Sequence, residues 1–317
     1  MDYKDKKIIV LGAGFAGFQC AKFLNRFFPG QITLIDKNDY HLYTPLLYEL
    51  DEGKVKLPIK TSAKFIQKEV SDFHELDYDY LVLATGAEVN YYNIPGLKES
   101  AITFKNLEDI KKLQKVPAGE ILIIGGGFTG CELAMELAIK LTGERLKIVD
   151  ASTCILPNLD EELRKKAERR LRKWGVEIFC GYKLTKVENQ QVFFENGKVF
   201  KFDNLVWTGG VRLGRHKVDE FLRVKEEKNV FAIGDCASTS PGLIRPALNQ
   251  AKIAAENIKR SIEGKALAAY KPKVWAVVVP LGGYYAVAKI GKIKIAGFIA
   301  WFIKEIINFW YTKNYSR

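Results

Sequence analysis

The chain of 317 residues has only three histidines and five cysteines, and their placement excludes more than their number does. Cys20, Cys131, Cys154, Cys180 and Cys236 form no C-x-x-C pair, and none stands at ligand spacing from a histidine. A zinc site or a dithiol redox centre therefore has no support. The odd, scattered count suits a reducing compartment, with most thiols acting as small buried hydrophobes. A signal peptide is not expected, because Met1–Lys7 leads at once into a core strand. A bilayer span is not expected either. The tail stretch Ile295–Tyr311 holds nine residues before Lys304–Glu305 interrupts it, too few to cross a membrane.

Acidic residues are in deficit, 37 against 49 basic, which leaves a net charge of +12. From Lys271 onward eight basic residues face the single acid Glu305, so more than half of the excess lies in the tail. Such a balance needs a partner of opposite sign or serves solubility. Nucleic acid is not the expected partner. The basic helix Asp160–Trp174 mixes its cations with Glu161, Glu162 and Glu168, which reads as a solvated face.

What is present is one pattern used twice. Lys7–Asp36 reads KIIVLGAGFAGFQCAKFLNRFFPGQITLID. A buried strand, Ile8–Leu11, runs into Gly12, Gly14 and Gly17, with Phe15 and Ala16 between them. Phe18–Phe27 has helical spacing, and Ile32–Ile35 is a second strand closing on Asp36. The first glycine permits the tight turn, the second lets a pyrophosphate approach the backbone, and the third lets helix and strand pack closely. Free N–H groups at the helix start face the phosphates, and the terminal acid accepts from a ribose hydroxyl. Glu120–Asp150 repeats the pattern with Gly125, Gly127, Phe128, Thr129, Gly130 and Asp150. Two such fingerprints, each with its acid, leave little room for an ordinary glycine-rich turn. Asp150 favours NADH over NADPH, because a carboxylate there repels a 2′-phosphate.

Between and after these lie further signals. Asp39, His41 and Tyr43 lead into Thr44–Pro45, where Pro45 would hold the segment rigid against a flat ligand. His41 reads as a loop histidine without a catalytic role. Glu52–Lys60 reads as polar surface, and Phe65–Val70 as a short strand. Tyr80–Gly86 is a buried strand ending in Ala84, Thr85 and Gly86, and Leu205–Gly210 is another, ending at Gly210. Lys183–Phe202 is hairpin-like, with Asn196–Gly197 as its turn. Val230–Asp235 puts Gly234 and Asp235 at a strand end, where the carboxylate suits a flavin's ribityl chain, and Leu248–Ile262 reads as a helix.

The order GAGFAG, ATG, GGGFTG, VFAIGD resembles the flavoprotein reductases with two dinucleotide domains. Within them the segments HLYTPLLYE, GGGFTGCELAMEL, VWTGGVR and LGGYYAVAKIGKIKIAGFIAWFIKEIINF are similar to the type II NADH:quinone oxidoreductases. The resemblance implies an α/β fold with two Rossmann-like dinucleotide-binding domains. A discontinuous FAD domain (1–105 and 225–270) would enclose an NADH domain (106–224), and 271–317 would form a C-terminal membrane-docking segment. Non-covalent FAD would contact Gly12, Gly14, Phe15, Ala16, Gly17, Asp36, Pro45, Val70, Ala84, Thr85, Gly86, Gly234 and Asp235. Lys37 is a further contact or, by default, a solvated lysine. NADH would contact Gly125, Gly127, Phe128, Thr129, Gly130, Asp150 and Gly210.

Glu132 is either a carboxylate favoured by its helix dipole or a group that helps move protons near the nicotinamide. Arg245 would supply positive charge near the flavin or meet a quinone oxygen, with Asn249 and Lys289 also on the quinone side. The tail would dock on the anionic cytoplasmic face of the cell membrane through Trp301, Trp310, Tyr311 and its lysines. The alternative is a helix packed on the chain's own core or on a second subunit of a homodimer. Deleting Lys292–Arg317 is expected to leave FAD bound and to release the chain from anionic vesicles.

This chain departs from the family pattern in two places. It is shorter between Glu52 and Tyr78, and Ile244–Asn249 stands where the family has Ala-Gln-x-Ala-x-Gln. Three other readings stay open: a soluble NADH reductase serving an electron-carrier protein, a sulfide:quinone oxidoreductase, and a redox-sensing flavoprotein binding module. The second is disfavoured, since no cysteine follows Cys236.

Overall fold

The computed structural model describes residues 6–141, 145–273 and 276–315. Two five-stranded parallel sheets carry the architecture. In the first, Ile8–Leu11 lies between Ile32–Asp36 and Tyr80–Leu83, with Lys64–Gln67 and Val230–Ala232 at the edges. The strands IIVL, YLVL and VFA are buried throughout, as strands covered on both faces must be. In the second sheet, Ile121–Ile124 lies between Leu146–Asp150 and Asn204–Trp207, flanked by Glu177–Cys180 and Ala101–Thr103. In each sheet the glycine turn follows the central strand, at the carboxyl edge where strand order reverses. Ligands of such sheets bind there.

Helix Phe15–Phe27 packs on helix Ile244–Ile262, whose Ala251, Ala254 and Ala255 are fully buried. The second helix starts four residues before the expected Leu248, because Pro246 falls in the first turn, where its missing N–H costs nothing. Ala101–Thr103, expected on the first side of the 105/106 boundary, pairs with Asn204–Trp207 and so belongs to the second sheet. Its three residues are too few to carry a pattern. Glu52–Lys60 is more ordered than polar surface implies. Glu52–Val55 is a helical turn with Val55 buried, and Lys56–Pro58 pairs with Tyr40–Leu42. The expected hairpin at Lys183–Phe202 is a three-stranded meander. It turns at Asn196–Gly197 as read from the sequence, and again at Asn189–Gln190, both of which hold positive φ.

The tail differs most from the sequence-based expectation. Ala276–Pro280, Ala286–Ile290 and Ile293–Gly297 form an antiparallel sheet, and the last helix runs from Phe298 to Tyr315. That helix is inside out. Lys304 and Asn308 are buried, 9% and 7% exposed, while Ile299, Phe309 and Trp310 are 63–66% exposed. Among the described residues no helix is long and apolar enough to cross a membrane.

Candidate functional site

At the first turn Gly12 has φ +107°, and a Cβ there would lie 2.3 Å from Ala84 O. A Cβ on Gly17 would lie 1.8 Å from Gly12 O and 2.9 Å from Ala84 Cβ, so small Ala84 is part of the fit. Gly14 differs. A Cβ there meets nothing within 4 Å, and the residue is exposed at the start of a helix that no side chain caps. The turn thus offers bare N–H groups and open space to an anion. Asp36 braces it, accepting from Ala13 N at 2.6 Å and from Asn38 N at 2.8 Å.

The second turn has the same construction. Gly125 (φ +121°) is pressed against Thr208–Gly209, Gly130 against Gly125 O, and Gly127 is open before an uncapped helix, Phe128–Lys140. Asp150 accepts from Gly126 N at 2.5 Å and from Ser152 N at 2.6 Å. Phe128 is half-buried and Thr129 exposed beside it. Gly210 is covered by Tyr92, whose OH would lie 2.6 Å from an added Cβ.

The remaining expected contacts are spread along the first sheet's carboxyl edge. Ala84 backs the turn, and Thr85 is exposed. Arg215, which the sequence did not single out, donates to Thr85 Oγ1 at 2.8 Å and to Gly86 O at 3.2 Å and pairs with Glu88. Gly234 donates its N–H to the buried Gln250 Oε1 at 2.7 Å, and Asp235 accepts from Ser240 Oγ at 2.9 Å. Gln250 was passed over as well. Its signal was a polar residue on the alanine face of its helix. Pro45 lies half-buried in a short 3-10 helix, Thr44–Glu49, and Val70 is half-buried beyond Lys64–Gln67. Lys37 is largely exposed and faces Glu69 at 3.6 Å.

Arg245 and Asn249 sit one turn apart on the exposed side of helix Ile244–Ile262. Lys289 is placed elsewhere, with its Nζ 2.9 Å from Asp160 Oδ2. Glu132 lies in the first turns of Phe128–Lys140. Loss of hydration raises its pKa to about 8, opposed by the charge of Lys304. Lys304 donates to Tyr48 OH at 2.6 Å and pairs with Glu305 at 2.8 Å and Glu49 at 3.6 Å. A pocket of about 470 Å³ opens here, lined by Tyr48, Glu49, Lys140, Gly282, Trp301 and Lys304.

The last helix also reaches the first glycine turn. His41 is buried, with Nδ1 3.0 Å from Ala13 O and Nε2 3.3 Å from Tyr311 OH. A carbonyl only accepts, so Nδ1 carries the proton and Nε2 accepts from Tyr311. Burial lowers the pKa of His41 to about 4 and keeps the ring neutral. Phe15 touches Tyr311 with ring centres 5.2 Å apart, and Tyr43 stacks on Tyr311 at 5.0 Å. The tail is therefore no detachable appendage. Cutting the chain at Lys292 would remove the contacts of Tyr311 with Phe15 and with His41, which in turn bonds to Ala13. Lys304, Asn308 and Thr312, four residues apart, were the signal for this inner stripe, but Lys304–Glu305 was read only as an interruption.

Residues 49–251, well over half of the chain, match the family model described as pyridine nucleotide-disulphide oxidoreductase. The chain is 26% identical to the type II NADH:quinone oxidoreductase Ndh of Mycobacterium tuberculosis, over 96% of this chain and 84% of that protein. It is 28% identical to the type II NADH:quinone oxidoreductase of Staphylococcus aureus, over 96% of this chain and 94% of that one. The first alignment runs over 393 residues, so the relative has segments this 317-residue chain lacks. The fold is that of the Plasmodium falciparum NDH2 solved in complex with NADH, with a TM-score of 0.81 at 18% identity, covering 98% of this chain and all of that one. The chain is an oxidoreductase and belongs to the pyridine nucleotide-disulphide oxidoreductase family.

Proposed function

We propose that the chain binds FAD at the first glycine turn and NADH at the second, and passes two electrons from NADH to a membrane quinone without moving ions across the bilayer. The observation that carries this reading is the likeness of the two turns. Each has one open glycine between two that tolerate no side chain, an uncapped helix start, and an aspartate bonded to the turn. FAD fits the first, where Gly14 leaves room for a pyrophosphate and Asp36 and Asp235 stand at strand ends for ribose and ribityl hydroxyls. Bound there, the flavin supplies the hydride acceptor and two-electron donor.

The protein's own part is positioning and electrostatics. Gly127 and Asp150 hold the nicotinamide nucleotide, and Arg245 at a helix start offers positive charge. Glu132, largely protonated at neutral pH, keeps an exchangeable proton beside Lys304. The pocket at Tyr48 and Lys304 is our choice for the acceptor. The FAD unit would be discontinuous, with the second unit beginning at Ala101 instead of 106.

The exposed face of the last helix, with Tyr284 and Ile293, is proposed to dock on an anionic bilayer at the cytoplasmic face. Aromatic rings suit headgroup depth, and the basic excess of the tail matches the charge of the lipid. Sulfur chemistry is disfavoured. All five cysteines are free thiols, and Cys236 is buried with its Sγ donating to Leu83 O and Ile233 O.

The test is an anaerobic absorption titration of the purified protein. A bound flavin spectrum, bleached by NADH and restored by a short-chain quinone, supports the reading. A colourless protein that takes up no added FAD overturns it.

A further inference from the structure

The last helix has two working faces, and they lead to different places. Outward it presents Phe298, Ile299, Phe302, Ile306, Phe309 and Trp310. Inward, Tyr311 meets His41 Nε2 at 3.3 Å, and His41 Nδ1 holds Ala13 O at 3.0 Å, inside the first glycine turn. Phe15, the first residue of the turn's helix, lies against both rings, 4.7 Å from His41 and 5.2 Å from Tyr311. Tyr43 OH donates to Asn308 Oδ1 at 2.8 Å and fixes the same helix one turn earlier. Two side chains thus link this helix to the backbone expected to carry the flavin's pyrophosphate.

We propose that bilayer docking and flavin retention are coupled through Tyr311, His41 and Ala13, so that the chain holds FAD more tightly on an anionic membrane than in water. The proposal rests on the function given above and adds its regulation. Tyr311 and His41 are positioning residues, acting on the cofactor through the turn. Linkage makes the effect reciprocal. If lipid strengthens FAD binding, FAD strengthens lipid binding by the same factor. An enzyme off the membrane would then tend to lose its flavin.

The experiment measures FAD dissociation by the fluorescence of released flavin. It uses the full chain with and without vesicles of mixed anionic and zwitterionic lipid, and follows vesicle co-sedimentation of the FAD-loaded and FAD-free chain. The expected result is FAD affinity at least about fivefold higher on vesicles, the low end of ordinary coupling between sites, with an equal gain in vesicle affinity for the loaded chain. Tyr311→Phe keeps the ring and removes the hydroxyl. It should still sediment with vesicles and bind FAD, but show no vesicle effect. Phe302→Ser with Phe309→Ser should bind FAD in water and fail to sediment. Equal FAD affinity with and without vesicles, in a chain that binds both, overturns the coupling alone. A chain that binds FAD but never vesicles, or vesicles but never FAD, overturns the function and the coupling with it.

Discussion

Tyr43 donates its hydroxyl proton to Asn308 Oδ1 at 2.8 Å, joining two segments 265 positions apart in the sequence. Burial raises the pKa of the phenol and keeps it a donor. Asn308 Nδ2 is buried and finds no partner among the described residues. Tyr43→Phe should cost about 1 kcal/mol in unfolding free energy. Asn308→Leu alone strands the other member, a buried hydroxyl, and should also be destabilising. The double variant Tyr43→Phe, Asn308→Leu should recover part of the loss. Denaturant melts of all three check this, and strictly additive losses would show that the pair is not coupled.

Gly14 and Gly17 are three residues apart and should fail in different ways. Gly17→Val puts side-chain atoms into Gly12 O and Ala84, so the turn must distort and the apoprotein should melt well below the parent. Gly14→Val meets open space, so the apoprotein should fold with an unchanged midpoint and still take up no FAD. Thermal melts paired with flavin content separate the two outcomes. The same contrast should hold for Gly130 and Gly127, read out by NADH binding.

Asp150 should decide between nucleotides. Asp150→Ser removes a carboxylate whose hydrogen bonds to a ribose would be charge-assisted, worth about 1.5–3 kcal/mol. The KM for NADH should rise roughly ten- to hundredfold while that for NADPH falls. Equal rises for both would mean that the residue only braces Gly126 and Ser152.

Glu132 ties stability to pH. Unfolded, its carboxyl ionises near 4.5; folded, near 8. Between those values the folded chain keeps a proton that the unfolded chain has lost, so stability falls as pH rises through that window. Glu132→Gln cannot ionise and should flatten this part of the profile. The variant should match the parent at about pH 4 and exceed it above about pH 8. Lys304→Met removes the charge that lowers the Glu132 pKa and should extend the decline to higher pH. Melting points recorded from about pH 4 to pH 9 check both, and parallel curves for parent and Glu132→Gln would sink the assignment.

Both glycine turns, their strands and their aspartates were legible because each is a local motif. Gly12, Gly17 and Asp36 lie within one strand–helix–strand unit, and their spacing fixes their contacts. Lys304, Asn308 and Tyr311 were not, because their partners Tyr48, Tyr43 and His41 are brought to them only by the folded chain. Apolar residues nearly all round this stretch fit a lipid-facing helix and a helix packed on the chain's own core equally well, and Lys304–Glu305 reads only as an interruption, whereas Lys304 and Asn308 face in. The sheet Ala276–Gly297 escaped for a related reason. Its strands are short and apolar, and such runs read equally well as helix.

The last helix turns its apolar flank, Phe298, Phe302, Ile306 and Phe309 among it, to the outside. If that flank docks on lipid as proposed, nothing of it is left for a sister molecule, so sitting on a bilayer and pairing in water become rival fates for the same residues. Concentrated, detergent-free solutions should clump through that flank, which light scattering with and without added lipid vesicles checks.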